Sequence, residues 1–253
     1  MKAFIPAAGL GTRLRPFTLD NPKALVEVDG VPMLQRVILR LKSQGFDDIV
    51  INLHHFGDKI EEFVKDNNSF GIRIRFSDER RELLDTGGGI LNAAGMLGAT
   101  PEPFLIHNVD ILSDADLGGL MRQHVATDAD ATLLVNDRPS SRRLLWDADM
   151  HLRGWHNLST GEYRPQAPCR SVPCRELAFS GIHVMSPQPI FKEMERQGRS
   201  GVFSIIDFYL MALQQKKILG LEAADLNLID IGKPQTLAEA PRLLRMMEGL
   251  DHR

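Results

Sequence analysis

Apolar and polar positions alternate along the first half of this chain in two distinct periods. The short apolar run within Lys2-Ala3-Phe4-Ile5-Pro6 predicts a first strand over 2–6. From Met33 to Gln44 the apolar residues fall at Leu34, Val37, Ile38 and Leu41, the spacing of one helical face, and Gly45 ends it. Asp48 to Leu53 reads as a second strand, Lys59 to Lys65 as a short helix and Ile72 to Phe76 as a third strand. A glycine-led helix is expected over 87–97. The apolar strand Phe104–His107 follows, then a helix near Leu117–Val125 and the strand Ala131–Val135.

Helices alternating with near-continuous apolar strands predict an α/β fold: a Rossmann-like, mixed but mostly parallel sheet with helices on both faces. From about 137 the pattern changes. Residues 142–180 are short, polar, proline-punctuated pieces, which predicts antiparallel strands beside the main sheet. A strand returns at Ala178–Val184, and helices are expected at Pro189–Arg196 and Ile205–Gln214. A last short strand at Leu228–Ile231 precedes a C-terminal helix from Pro234 to Met247. Asp114, after Ser113, is the expected cap of the helix that begins near Leu117. No repeat or linker breaks the pattern, so one domain over 1–253 is expected.

Composition changes this picture little. The chain has 253 residues, 43% hydrophobic and 25% charged, ordinary for a globular protein. It is long enough to bury a core without disulfide or metal staples. A formal net charge of −3 predicts no general affinity for nucleic acid. The N-terminus lacks the pattern of a signal peptide, and no run reaches the roughly 18 apolar residues of a membrane span. A cytoplasmic protein without membrane contact is therefore expected. The two cysteines, Cys169 and Cys174, are too few for a secreted scaffold. Their spacing is not the two-to-four-residue knuckle of a zinc site, despite His151 and His156 upstream. They are expected to be free thiols.

The candidate chemistry lies where the first strand runs into Ala7-Ala8-Gly9-Leu10-Gly11-Thr12-Arg13-Leu14-Arg15-Pro16, with Asn21-Pro22-Lys23 close behind. Small residues let a backbone approach an anion, and successive N–H groups can cradle phosphate oxygens. In doubly covered sheets, ligands bind beyond the carboxyl ends of the strands. This loop, the segment after Phe76 and Asp110 all lie at such ends. The P-loop pattern G-x-x-x-x-G-K-[ST] is absent. The dinucleotide fingerprint is broken as well, because Leu14 stands where its third glycine belongs.

The loop with Pro22-Lys23 instead resembles the signature of the sugar-1-phosphate nucleotidylyltransferases. Four further segments resemble that family in its order: Asp85-Thr86-Gly87-Gly88-Gly89-Ile90, Asn108-Val109-Asp110, Phe179-Ser180-Gly181-Ile182 and Leu228-Ile229-Asp230-Ile231-Gly232. The resemblance spans about residues 1–245. The short chain, the Thr-Gly-Gly-Gly-Ile run and the Phe-Ser-Gly-Ile strand look most like the N-acetylmuramate-1-phosphate uridylyltransferases. Mannose- and heptose-1-phosphate guanylyltransferases are the near neighbours. The left-handed β-helix domain of many relatives is not expected here.

The resemblance implies attack of a sugar-1-phosphate on the α-phosphorus of a nucleoside triphosphate, giving a nucleotide-sugar for cell-wall synthesis and pyrophosphate. It implies a nucleotide-binding half over about 1–136 and a sugar-binding half over about 137–253, with a small antiparallel subregion on the sugar side. Ala7, Ala8, Gly9, Gly11 and Thr12 would hold the nucleotide, and Thr86, Gly87 and Gly88 would face its base. Arg13 would neutralise the departing pyrophosphate, and Lys23 would reach the α-phosphate. Asp110 and Asp230 would share one Mg²⁺. Asn108 and Gly181 would approach the sugar, and Glu176 one of its hydroxyls. Taken singly, Arg13, Arg15 and Lys23 would read as solvated loop charges; the ordered motifs give the first and last a function.

Three departures stand out. Val109 replaces the family's usual glycine before the aspartate, and Pro22-Lys23-Ala24 replaces Pro-Lys-Pro. The Glu-Lys-Pro segment whose lysine binds the sugar phosphate in many relatives has no counterpart lysine, since none occurs between Lys65 and Lys192. Arg142 or Arg143 is the expected substitute. GTP with mannose- or heptose-1-phosphate, CTP with a phosphorylated alcohol, and a nucleotide-sugar-binding regulatory protein remain as alternatives. Oligomeric state, monomer or dimer, is left open.

Overall fold

The computed structural model describes residues 1–166 and 173–250. Cys169 lies outside them, and Cys174 is disulfide-bonded rather than the expected free thiol. The first strand, β1 (Lys2–Ile5), feeds the glycine-containing loop, and a two-residue ladder of β2 (Glu27–Val28) and β3 (Val31–Pro32) leads into α1 (Met33–Ser43). Next come β4 (Asp48–Leu53), α2 (Gly57–Asp66), β5 (Arg73–Asp78), α3 (Asp85–Asn92) and α4 (Ala94–Leu97). The chain continues through β6 (Phe104–His107), β7 (Ile111–Ser113), α5 (Leu117–Thr127) and β8 (Ala131–Asn136). The second half holds β9 (Arg142–Trp146), β10 (Leu152–Asn157), β11 (Glu162–Arg164), β12 (Arg175–Met185), α6 (Pro187–Arg196) and α7 (Ile205–Ala212). It closes with β13 (Ile218–Glu222), β14 (Leu228–Asp230) and α8 (Pro234–Leu250).

The expected mixed sheet is present. Strands β6, β1, β4 and β5 run parallel, with Lys2 opposite Asp48 on one side and Phe104 on the other. β12 pairs antiparallel with both β6 and β8, and β13 adds a parallel edge to β8. The chain moves from β1 to β4 on one side and later to β6 on the other, so the strand order reverses beside β1. Such a point opens a crevice past the carboxyl ends of the strands.

Strand residues alternate between two apolar layers. Ala3, Ile5, Ile49 and Ile51 face α1, α2 and α5. Phe4, Val50, Phe104 and Ile106 face the layer of α3, α4, α6 and α7. Burial on both faces is why these strands read as apolar runs rather than alternating ones. In α1 the expected stripe of Leu34, Val37, Ile38 and Leu41 is buried.

Three expectations need correction. The helix expected over 87–97 begins at Asp85 and is broken at Ala93 into α3 and α4. Asp116, not Asp114, caps α5: its side chain accepts from Gly119 N at 2.7 Å. Asp114 instead binds Asn227 through its backbone N and Nδ2, tying α5's approach to the segment before β14. β13 was absent from the expected pattern and fills the sheet edge.

Strand β12 links the two halves. Its start pairs with β9, and its end pairs with β6 and β8. A register shift between Phe179 and His183 bulges the strand at Ser180 and Gly181. Beside it, β11, β10 and β9 form the expected antiparallel region.

Candidate active site

The loop after β1 is held from beneath. Asn52, at the end of β4, accepts from Ala7 N (2.6 Å) and Ala8 N (3.2 Å) through its Oδ1. Its Nδ2 donates to Glu79 Oε1 at 2.8 Å. All four residues are buried. Burial pushes the Glu79 carboxyl up, with the Asn52 bond acting against it. Its Oε2 has no partner among the described residues. Ala7 and Ala8 therefore offer shape rather than free donors, while the N–H groups of Gly9 to Thr12 stay open to a ligand. Gly11 has φ +62°, and a Cβ there would lie 2.9 Å from Thr18 Cγ2. Leu14 at the broken-fingerprint position is fully buried and pins the loop, leaving Arg13 in solvent.

The charged residues expected from sequence converge. Lys23 Nζ donates to Asp110 Oδ2, and both side chains are largely withdrawn from water, at 15% and 13% exposure. Asp230 ends β14, opposite Ile111 on β7, and Ile231 N donates to the Asp110 carbonyl at 3.0 Å. Gly232 marks the meeting point. A Cβ there would stand 2.7 Å from Asp230 Oδ1, 2.9 Å from Arg13 Nη2 and 3.5 Å from Asp110 Oδ2. Two carboxylates and two cations thus gather at the carboxyl ends of β1 and β6. Hard oxygen donors arranged this way suit Mg²⁺ completed by phosphate oxygens. The aspartates fit such an ion, with Lys23 as the counter-cation that Asp110 holds here.

Three cavities adjoin this point and share Asn108. One of about 430 Å³ is lined by the β1 loop, Lys23, Glu79 and Asp110. One of about 290 Å³ is lined by Asp110, Asp230, Arg138, Arg142 and Gly181. The third, about 580 Å³, reaches over the antiparallel region to Arg142, Trp155, Arg164, His183 and Asp207. Gly181, at φ +80°, approaches so closely that a Cβ would lie 2.8 Å from Asn108 Nδ2. Arg164 lies 3.9 Å from the Trp155 ring centroid and pairs with Asp207 at 2.7 Å.

Several expected residues sit differently. Gly87 and Gly88 N–H both donate to Phe203 O (2.9 and 3.2 Å), and Thr86 Oγ1 accepts from Ile205 N. A Cβ on Gly87 would come within 2.4 Å of the Phe203 ring, so this glycine run makes room for the 201–205 segment. Thr86 still lines two of the cavities. Arg143 is committed to Asp137 (2.8 Å) and the Glu176 carbonyl (3.2 Å). Glu176 directs its carboxylate to His156 Nδ1 at 3.1 Å, away from the three cavities. Arg142 does line two of them.

Sequence reasoning missed Asn52, Glu79, Arg138 and Arg164. The last had a signal: Glu162-Tyr163-Arg164-Pro165 carries an acidic residue and then a cation directly before a proline. A separate group, Asp147, Asp149 and His151, gathers its ligand atoms within 4.8 Å in the β9–β10 turn. Asp147 there already accepts from Asp149 N, His151 N and Arg153 Nε, which makes the group a turn lock. No helix among the described residues is long and apolar enough to cross a membrane.

The glycine-containing loop, the convergent aspartates and the crevice beside β1 lie together, and the chain belongs to the nucleotidyl transferase family, whose model matches residues 2–143. It is an enzyme of the sugar-1-phosphate nucleotidylyltransferase class. It is 44% identical over 249 residues to the N-acetylmuramate alpha-1-phosphate uridylyltransferase of Neisseria meningitidis serogroup B, covering 96% of this chain and 98% of that one. It is 31% identical over 247 residues to the enzyme of the same name from Caulobacter vibrioides, covering 95% and 96%. The crystal structure of HddC from Yersinia pseudotuberculosis complexed with GMP-PN superposes with a TM-score of 0.76 at 25% identity, over 96% of this chain and 99% of that one.

Proposed function

We propose that the protein transfers a uridylyl group from UTP to N-acetylmuramate α-1-phosphate, with Mg²⁺, releasing pyrophosphate. The observation that carries the reaction is the convergence of Arg13, Lys23, Asp110 and Asp230 around Gly232. The choice of substrates is supported by two relatives of that name matched along nearly their whole length. The mannose-1-phosphate guanyltransferase of Gibberella zeae is matched over only 53% of this chain and 37% of its own length.

An oxygen of the acceptor phosphate bonds to the α-phosphorus, and the bond from that phosphorus to the oxygen bridging to the β-phosphorus breaks. The nucleophile is already an anion, so no strong base is needed. The barrier lies in bringing two polyanions together and in stabilising charge that moves, which positioned cations do well in a partly dry site. The free N–H groups of Gly9 to Thr12 hold the triphosphate. Arg13 meets the departing pyrophosphate, and Lys23 swings from Asp110 to the α-phosphate. Asp110 and Asp230 would hold Mg²⁺, which supplies charge neutralisation between the two phosphates. Asn108 and Gly181 border the acceptor, with Thr86 beside the base.

Pyrophosphate release measured for four nucleoside triphosphates against a panel of sugar 1-phosphates tests the substrates. UTP with N-acetylmuramate α-1-phosphate is expected to give the highest kcat/KM. A higher value for GTP with mannose 1-phosphate would overturn the choice while leaving the reaction intact.

A further inference from the structure

Arg138 sits between β8 and β9, against the bulge of β12. Its Nη2 donates to the Phe179 carbonyl at 2.9 Å. Its Nε is buried with no partner, and it forms no ion pair among the described residues. Its neighbours differ. Arg143 pairs with Asp137, Arg164 with Asp207 and Arg153 with Asp147. Arg142 is also unpaired, but it is exposed.

Arg138 is half-buried, and burial works against its charge, with Asp230 favouring it. Such a group is stable where an anion comes to it, and guanidinium donors match phosphate oxygens in pairs. Arg138 lines the 290 Å³ cavity together with Asp110, Asp230, Asn108 and Gly181. That cavity lies between the one bordered by the β1 loop and the one over the antiparallel region, because it shares Asp110 with the first and Arg142 with the second. An acceptor phosphate placed there would have Asp110 and Asp230 on one side and the Arg138 guanidinium on the other, so Arg138 adds a cation that Lys23, paired with Asp110, does not supply.

The geometry points to Arg138 as the residue that binds the acceptor's phosphate, the task for which this chain has no lysine. This rests on the reaction proposed above. Arg143 lines none of the three cavities and is turned to Asp137, and Arg142 remains as an outer contact.

The test measures KM for UTP and for N-acetylmuramate α-1-phosphate separately in Arg138→Met and Arg138→Lys, by pyrophosphate release. Arg138→Met is expected to raise KM for the sugar phosphate by about tenfold or more, with KM for UTP within twofold of wild type. Arg138→Lys is expected to fall between the two. A sugar-phosphate KM unchanged in Arg138→Met, or a UTP KM that rises equally, overturns the assignment. If Arg138→Met does not fold, Arg138→Lys decides: a threefold or larger rise in sugar-phosphate KM alone supports it, and no change overturns it. Wild-type enzyme that releases no pyrophosphate with any sugar 1-phosphate would refute the reaction itself, a separate outcome.

Discussion

Replacing Asn52 with alanine removes a single amide that satisfies three buried groups. Ala7 N and Ala8 N lose their acceptor, and Glu79 Oε1 loses its donor. Each polar group left buried and unpaired costs about 1–3 kcal/mol. Three at full cost would approach the whole stability of an ordinary domain. The truncated side chain, however, faces the 430 Å³ cavity that Asn52 and Glu79 help to line, so water can enter and recover part of the loss. A loss of about 3 kcal/mol is the expected result. The same change frees the loop that carries Gly9 to Thr12, so KM for UTP should rise about tenfold while KM for the sugar phosphate holds. Urea unfolding and steady-state pyrophosphate release read the two effects. A stability loss below about 1 kcal/mol with an unchanged UTP KM would refute the claim that Asn52 props the loop. Asn52→Asp is a sharper control. It keeps an acceptor for the two alanine N–H groups but sets a second carboxyl against Glu79, and two close carboxyls hold one proton between them. Its deficit relative to wild type should therefore shrink as pH falls from 8 to 5.

Asp230→Asn should lower kcat about 100-fold with folding intact, and chelation of divalent metal should silence the wild type until Mg²⁺ is restored. Gly181→Ala should cost about 1–2 kcal/mol and raise the sugar-phosphate KM, because φ is +80° there and the new methyl would meet Asn108 Nδ2; urea unfolding and kinetics check both. His107, His124 and His183 are buried, and burial pushes their pKa values down to about 4, about 4 and about 3. The unfolded chain protonates each near pH 6.5 while the folded chain stays neutral, so stability is full above that pH and declines as pH drops towards 4. The loss between pH 6.5 and 5 should be roughly 1.5 kcal/mol per histidine, and His183→Leu should remove that one share, about a third of the three-histidine total, in urea unfolding at the two pH values.

The periodic elements of the fold were readable because burial on one helical stripe or on both sheet faces leaves a direct mark on the sequence. β13 left little mark: most of Ile218–Glu222 is only half buried at an edge, directly after Gln215-Lys216-Lys217. The break at Ala93 and the choice of Asp116 over Asp114 as the cap depend on packing against other elements. At the site, Arg13, Lys23, Asp110 and Asp230 were legible because they sit in ordered motifs. Asn52 and Glu79 were not, since they act on a loop some 45 residues away in sequence for Asn52, through a bond between strands. Arg138 looked like any loop arginine, and only its place beside Asp110 and Asp230 in the 290 Å³ cavity sets it apart. Arg143 and Glu176 were expected to serve the sugar, but Arg143 pairs with Asp137 and the Glu176 carboxylate is hydrogen-bonded to His156.

The central claim is that the acceptor phosphate itself attacks the α-phosphorus of the nucleotide. N-acetylmuramate α-1-phosphate carrying ¹⁸O in its phosphate, turned over with UTP and Mg²⁺ and followed by ³¹P NMR, tests it directly. The account predicts a nucleotide-sugar whose α-phosphorus is bonded to one labelled oxygen, with pyrophosphate free of label and formed only when the sugar phosphate is present. Pyrophosphate released from UTP alone, or an α-phosphorus without the label, would contradict it.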